Sequence, residues 1–236
     1  MDRSTDSEKI VAFLLYPGVT MLDLVGPLQV ISKMQPPFRA VVVAEDLGPM
    51  KADASLTLSA EMTFEQVPEP FALVVPGGMG ATKAMANERL LDYIKGRSGS
   101  VNAMAAVCTG SLILAAAGLL QGRKASTHWS YAKVLNAMGA EYQEQRWVRD
   151  GKFFTSAGVS AGIDMAFALV AEWGGMAQSK SIQLGLEYDP RPPFGPIDWN
   201  GVDRDSRLPK ILVRLREDLA DKPALLERIE SGLRPG

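Results

Sequence analysis

The chain has 236 residues, 47% of them hydrophobic, and a net charge of −2 from 25 basic and 27 acidic side chains. That length and apolar content bury a full core as one large domain, or as a domain with an appendage, and the balanced charge offers no electrostatic footprint for nucleic acid. A single cysteine rules out an internal disulfide framework, and one histidine with one cysteine cannot build a zinc site of the usual kind.

Met1–Lys9 is polar and charged, without the apolar stretch of a secretory signal, so residues 1–8 are expected to be disordered and the protein cytoplasmic. Ile10–Leu15 is a short continuous apolar block ended by Pro17-Gly18, as for a strand buried on both faces. Leu22–Met34 has helical spacing, with Pro27 read as a first-turn proline. Phe38–Ala44 is a valine-rich strand, and Ser55–Leu58 a strand or hairpin arm. Phe71–Val75 runs into Pro76-Gly77-Gly78-Met79-Gly80, a strand ending in a glycine-rich turn. Ala84–Ile94 reads as one helix, Val101–Val107 as a strand, and Thr109–Ala117 as the helix after it. Val101–Leu120 is apolar, but the polar and small residues in its middle fit a strand, turn and helix better than a membrane span.

Trp129–Met138 reads as a helix, Trp147–Thr155 as two strand arms about Arg149-Asp150-Gly151, and Ala161–Trp173 and Met176–Glu187 as helices. Strands alternating with helices predict an α/β three-layer sandwich on a mainly parallel sheet, over residues 9–188. From Asp189 a proline-rich stretch predicts an extended arm. Leu208–Ile229 then predicts one amphipathic helix, packed on the body or on a second subunit.

Ligands of open α/β sheets gather beyond the carboxyl ends of the strands. Three loops lie there: Tyr16–Gly26, Pro76–Gly80 and the turn at Ala106-Val107-Cys108-Thr109-Gly110-Ser111. The last has the form of a nucleophile elbow, with one reactive residue at a sharp turn between strand and helix. The following helix directs its positive end at the sulfur and is expected to favour the thiolate; a buried structural cysteine is the alternative. Asp23, flanked by Leu22, Leu24 and Val25, is either a helix-start acid or a general acid/base tuned by its surroundings. The Gly77–Gly80 turn fits backbone amides approaching a reacting centre better than a phosphate cradle. His128, at the start of a helix, reads as a cap or packing residue before a Cys108 partner, and Thr109 as a cap or a substrate contact.

Several blocks carry a resemblance: Leu22-Asp23-Leu24-Val25-Gly26-Pro27, Val75-Pro76-Gly77-Gly78, Val107-Cys108-Thr109-Gly110-Ser111 and Ser126-Thr127-His128-Trp129. With Val148-Arg149-Asp150-Gly151, Ser160-Ala161-Gly162-Ile163-Asp164 and the tail Leu186–Phe194, they are similar to the isocyanide hydratase branch of the ThiJ/PfpI superfamily, over about residues 9–197. The resemblance implies a flavodoxin-like sandwich, a homodimer, no metal or organic cofactor, and a small organic isocyanide as substrate. It implies Cys108, Asp23 and Thr109 as catalytic residues, and Gly77, Gly78 and Ala157 are expected to contact the substrate. Thr109 and Asp23 stand where protease-like and glyoxalase-like branches carry His and Glu, which disfavours those activities.

In the implied reaction the thiolate adds to the isocyanide carbon, charge develops on nitrogen and is protonated, and water opens the thioimidate to a formamide. AraC-type regulators carry a similar sandwich joined to a helix-turn-helix region, so a sensor is one competing reading, though only about forty residues follow Pro196 and no basic patch is present. Reversible oxidation of Cys108 in a stress protein is the other.

Overall fold

Residues 7–234 are described by the computed structural model. Of the expected disordered start, residues 1–6 lie outside that range. The chain runs β1 (Lys9–Leu14), α1 (Met21–Ile31), β2 (Phe38–Ala44), β3 (Met50–Lys51), β4 (Thr57–Leu58), β5 (Met62–Thr63), β6 (Ala72–Val75), α2 (Ala81–Ala84), α3 (Glu88–Arg97) and β7 (Ala103–Val107). It continues with α4 (Gly110–Ala116), β8 (Lys124–Ala125), a 3-10 turn at Trp129–Tyr131, α5 (Ala132–Ala137), β9 (Glu141–Tyr142), β10 (Trp147–Asp150) and β11 (Phe153–Ser156). Helices α6 (Ala161–Gly174) and α7 (Met176–Gly185), a second 3-10 turn at Trp199–Gly201, α8 (Leu208–Asp218) and α9 (Pro223–Gly232) complete it.

The central sheet has the order β10-β11-β7-β6-β1-β2-β5, parallel throughout except for the antiparallel β10 edge. Strands β6 and β7 are buried along their whole length, which is why they read as unbroken apolar runs. Helices α1 and α6 cover one face and α2 to α5 the other. This is the expected three-layer sandwich. Because β1, β6 and β7 are parallel neighbours, the loops at their carboxyl ends converge on one edge of the sheet. Among the described residues no helix is long and apolar enough to cross a membrane.

Four local expectations are corrected. Pro27 lies beyond the first turn of α1; the helix tolerates it, although Pro27 has no N–H to give the carbonyl of Asp23 one turn earlier. The run Ala84–Ile94 is broken, because the Asn87 side chain accepts from Leu90 N at 3.1 Å and starts α3 afresh. Trp129–Met138 begins as a 3-10 turn capped by His128 before α5. Leu208–Ile229 is two helices, since Pro223 cannot continue α8 and instead opens α9. Both pack on their own chain: Ile211, Leu215, Leu219 and Ile229 are buried, α8 lies against α2 and α9 against α5.

Candidate active site

Cys108 sits at the end of β7 with φ of 56°, in the left-handed region that side-chain-bearing residues rarely occupy. The turn is held from several sides. Cys108 N–H donates to the carbonyls of Ser156 (3.2 Å) and Ala157 (3.1 Å), and its own carbonyl accepts from the hydroxyls of Ser111 and Thr127, both at 3.0 Å. Gly110 is required here, because a β-carbon on it would stand 2.1 Å from the Val75 carbonyl oxygen. Strain at a single residue persists only when its surroundings over-determine it.

Asp23 lies on the first turn of α1 and is fully buried. Its Oδ2 accepts from Gly77 N–H at 3.0 Å, while Oδ1 has no hydrogen-bond partner among the described residues. Burial pushes its pKa from 3.8 to about 7, against the Gly77 N–H and the Cys108 thiol, which favour the charged form; Asp53 raises it further. Burial, with repulsion from Asp23, pushes the Cys108 thiol up to about 12, although the Val159 and Thr109 N–H groups and the Thr109 hydroxyl favour its thiolate. Burial thus works against the expected thiolate. Desolvation outweighs those donors at the start of the short helix α4. The site pairs a thiol whose ionisation burial opposes with a carboxyl group pushed up to about 7.

The glycine turn serves this pair. A β-carbon on Gly77 would stand 2.5 Å from Thr109 N and 2.8 Å from Asp23 Oδ2, so only glycine lets the three groups meet. Gly78 N–H donates to Thr109 Oγ1 at 2.9 Å, and the same hydroxyl donates to Gly78 O at 3.2 Å. Both amides are thus already engaged, with Asp23 and with Thr109. They build the floor of the site rather than presenting free donors to a ligand.

Above the sulfur opens a cavity of about 580 Å³, lined by Cys108, Thr109, Gly78, His128, Tyr131 and Val159, among others. Ala157 lines a neighbouring cavity of about 440 Å³ and reaches Cys108 through its carbonyl; Val159 occupies the position facing the sulfur's cavity. His128 lines both cavities, and its Nδ1 lies 2.8 Å from Ser130 Oγ while capping the 3-10 turn. Burial and Arg207 lower its pKa, which favours the neutral ring.

The pattern of the DJ-1/PfpI family matches residues 9–172, a stretch that contains every residue of this pair and its turns. The chain belongs to the DJ-1/PfpI family. Its relatives include isonitrile hydratase from Pseudomonas putida, 43% identical over 184 residues, which are 78% of this chain and 80% of that protein. A THiJ/PfpI family protein from Pseudomonas syringae has a crystal structure that matches with a TM-score of 0.80 at 32% identity, covering 99% of this chain and 96% of that one. An HTH-type transcriptional regulator from Pseudomonas aeruginosa is 28% identical over 169 residues, 68% of this chain and 49% of its own length. The α/β sandwich described above is the flavodoxin-like fold of the DJ-1/PfpI family.

Three residues near the DJ-1/PfpI elbow escaped the sequence reading. Tyr16 is buried and donates from its hydroxyl to Pro76 O at 2.7 Å, tying the end of the first strand to the glycine turn. Burial, Asp23 and Cys108 all hold it neutral. Asp53 accepts from the Thr20 hydroxyl at 2.8 Å and from Met21 N–H at 3.1 Å, capping the helix that carries Asp23. Tyr131 lines the sulfur's cavity from the α5 side. Tyr16 ends an apolar run and was legible as a buried phenol needing an acceptor; Asp53 and Tyr131 carry no local signal of where they fold.

Proposed function

We propose that this protein adds water to organic isocyanides, giving N-substituted formamides, with Cys108 as nucleophile and Asp23 as proton carrier. The observation that carries the reading is the buried thiol facing a buried carboxyl group whose pKa is about 7, at the floor of a cavity large enough for a small organic ligand.

Near neutral pH the sulfur keeps its proton and Asp23 is partly ionised. Asp23 takes that proton as sulfur bonds to the isocyanide carbon, and returns it to the same carbon. R–N≡C and HS–Cys108 become R–N=CH–S–Cys108 with no atom left over. The expectation that nitrogen is protonated at this step is revised on chemical grounds, because the formamide carries a hydrogen on its carbon. The Thr109 and Val159 N–H groups stabilise the charge on sulfur during transfer. Water then adds across the C=N bond, its hydroxyl to carbon and its proton, by way of Asp23, to nitrogen. The C–S bond breaks, the hydroxyl proton passes through Asp23 to sulfur, and R–NH–CHO leaves. The two steps need a thiol, a carboxyl group and water. Thr109 also fixes Gly78, and Ala157 fixes the Cys108 backbone. As the family resemblance implies, the working unit is a homodimer, which sedimentation equilibrium tests.

The deciding experiment combines formamide detection with intact-protein mass spectrometry during turnover of an alkyl isocyanide. The expected result is formamide production with an isocyanide-mass adduct on the wild type and none on Cys108→Ala. An active Cys108→Ala protein overturns the covalent route. A wild type that forms no formamide overturns the activity itself.

A further inference from the structure

The cavity over Cys108 carries a feature that the reaction does not use. Its outer lining includes Arg207, Lys210 and Arg214, and no carboxylate among the described residues. Arg207 immediately precedes α8, and Lys210 and Arg214 follow at spacings of three and four residues, so all three share one face of that helix. Ile211 on the same face is buried and fixes it against the body.

None of the three is in an ion pair among the described residues, whereas Arg204 and Arg216, on the same tail, pair with Glu144 and Glu230. Their contacts are with neutral groups: Arg207 lies over the Trp129 ring at 5.6 Å, and Arg214 donates to the Met79 sulfur at 3.0 Å. Two acids of the same tail have partners of their own. Asp218 accepts from the Thr82 hydroxyl, and Asp205 pairs with Lys133 at 2.6 Å. Like charges at these spacings repel, and here they cluster at the mouth of a cavity in a chain whose net charge is −2. Tyr131 lines the same cavity as Cys108 and the three cations.

We infer that the isocyanide taken by this site is anionic, with its isocyano carbon at Cys108 and a carboxylate held by Arg207, Lys210 and Arg214. The inference rests on the hydratase reading and names the substrate class for it. Three long cations with forked or mobile donors and no ion-pair partner among the described residues are suited to a carboxylate that arrives with the ligand.

The test compares ω-isocyano carboxylates with their methyl esters, taking kcat/KM for each and the acid-to-ester ratio as readout. The ratio is expected to be about tenfold or more in the wild type, to shrink in 0.5 M NaCl, and to fall to about one in the triple variant Arg207→Gln/Lys210→Gln/Arg214→Gln. Lys33→Gln, an exposed cation outside the cavity, leaves the ratio unchanged. Lys210→Gln alone lowers it partway and guards against misfolding of the triple variant. Equal turnover of acid and ester overturns the inference and leaves the hydratase reading standing. If neither is turned over, the hydratase reading fails, and calorimetry with an N-formyl amino carboxylate and its methyl ester decides the rest. Tighter binding of the acid, lost in the triple variant, supports anion docking; equal binding overturns it.

Discussion

Replacing Asp23 by asparagine separates the carboxyl group's chemistry from its cost to the fold. In the wild type its pKa rises from 3.8 to about 7 on burial, so the folded protein holds that proton more tightly than the unfolded chain. The stability this supplies is complete below about pH 4 and is lost as the pH rises through 7. At about 1.36 kcal/mol for each pH unit, the loss is about 4 kcal/mol. Asparagine does not titrate, so the loss is absent in the variant. Its amide nitrogen falls where Oδ1 has no partner among the described residues, which costs about 1–3 kcal/mol at every pH. The pH dependence therefore isolates the charge: relative to wild type, Asp23→Asn is expected to gain about 3–4 kcal/mol between pH 4 and pH 8. Urea unfolding at the two pH values measures it. The same variant removes the repulsion that raises Cys108, so the midpoint for alkylation of the thiol moves down from about 12. Isocyanide hydration falls by about 10²–10⁴. A stability difference that is the same at pH 4 and pH 8, or a thiol midpoint that rises, would show that the carboxyl group is not buried beside the sulfur as described.

Cys108→Gly is expected to be more stable than Cys108→Ala by about 1 kcal/mol, because glycine accepts the φ of 56° without penalty; both lose hydration, and thermal unfolding compares them. Gly78→Ala brings a β-carbon to 2.3 Å from Thr20 N at a φ of 141°, so it loses more than about 3 kcal/mol or does not fold, as denaturant titration would show. Thr109→Val leaves Gly78 N–H without its acceptor, which costs about 1–3 kcal/mol and lowers kcat. Leu215→Ala, fully buried on α8, costs about 2–4 kcal/mol and speeds proteolysis of the tail.

The layers and the elbow were legible because each rests on local chemistry. Unbroken apolar runs such as Ala103–Val107 have one comfortable place, inside a parallel sheet. A lone cysteine followed by Thr109-Gly110-Ser111 marks a tight turn whatever lies around it. Asp23 stood out because a carboxylate among leucines needs a reason. What was not legible depended on long-range placement. The pull on Cys108 was only half legible, because helix polarity is local, whereas burial in the assembled core and repulsion from Asp23, far off in the sequence, push the thiol the other way. Asp53 caps α1 from thirty-two residues beyond Met21, and no spacing rule announces such a contact. Leu208–Ile229 kept its helical period across the break at Pro223, so periodicity alone fused two helices into one.

The family pattern ends at residue 172, whereas α8 begins at Leu208 and still forms one wall above the sulfur. On the reading proposed above, the reacting pair lies inside the family pattern, and the charged wall that meets the guest lies beyond it. An exchange of the exposed face of α8 that keeps its buried Ile211 and Leu215 is then a route to new guests with the acid–thiol couple left in place. A neutral or acidic face grafted there would carry the old reaction to new molecules.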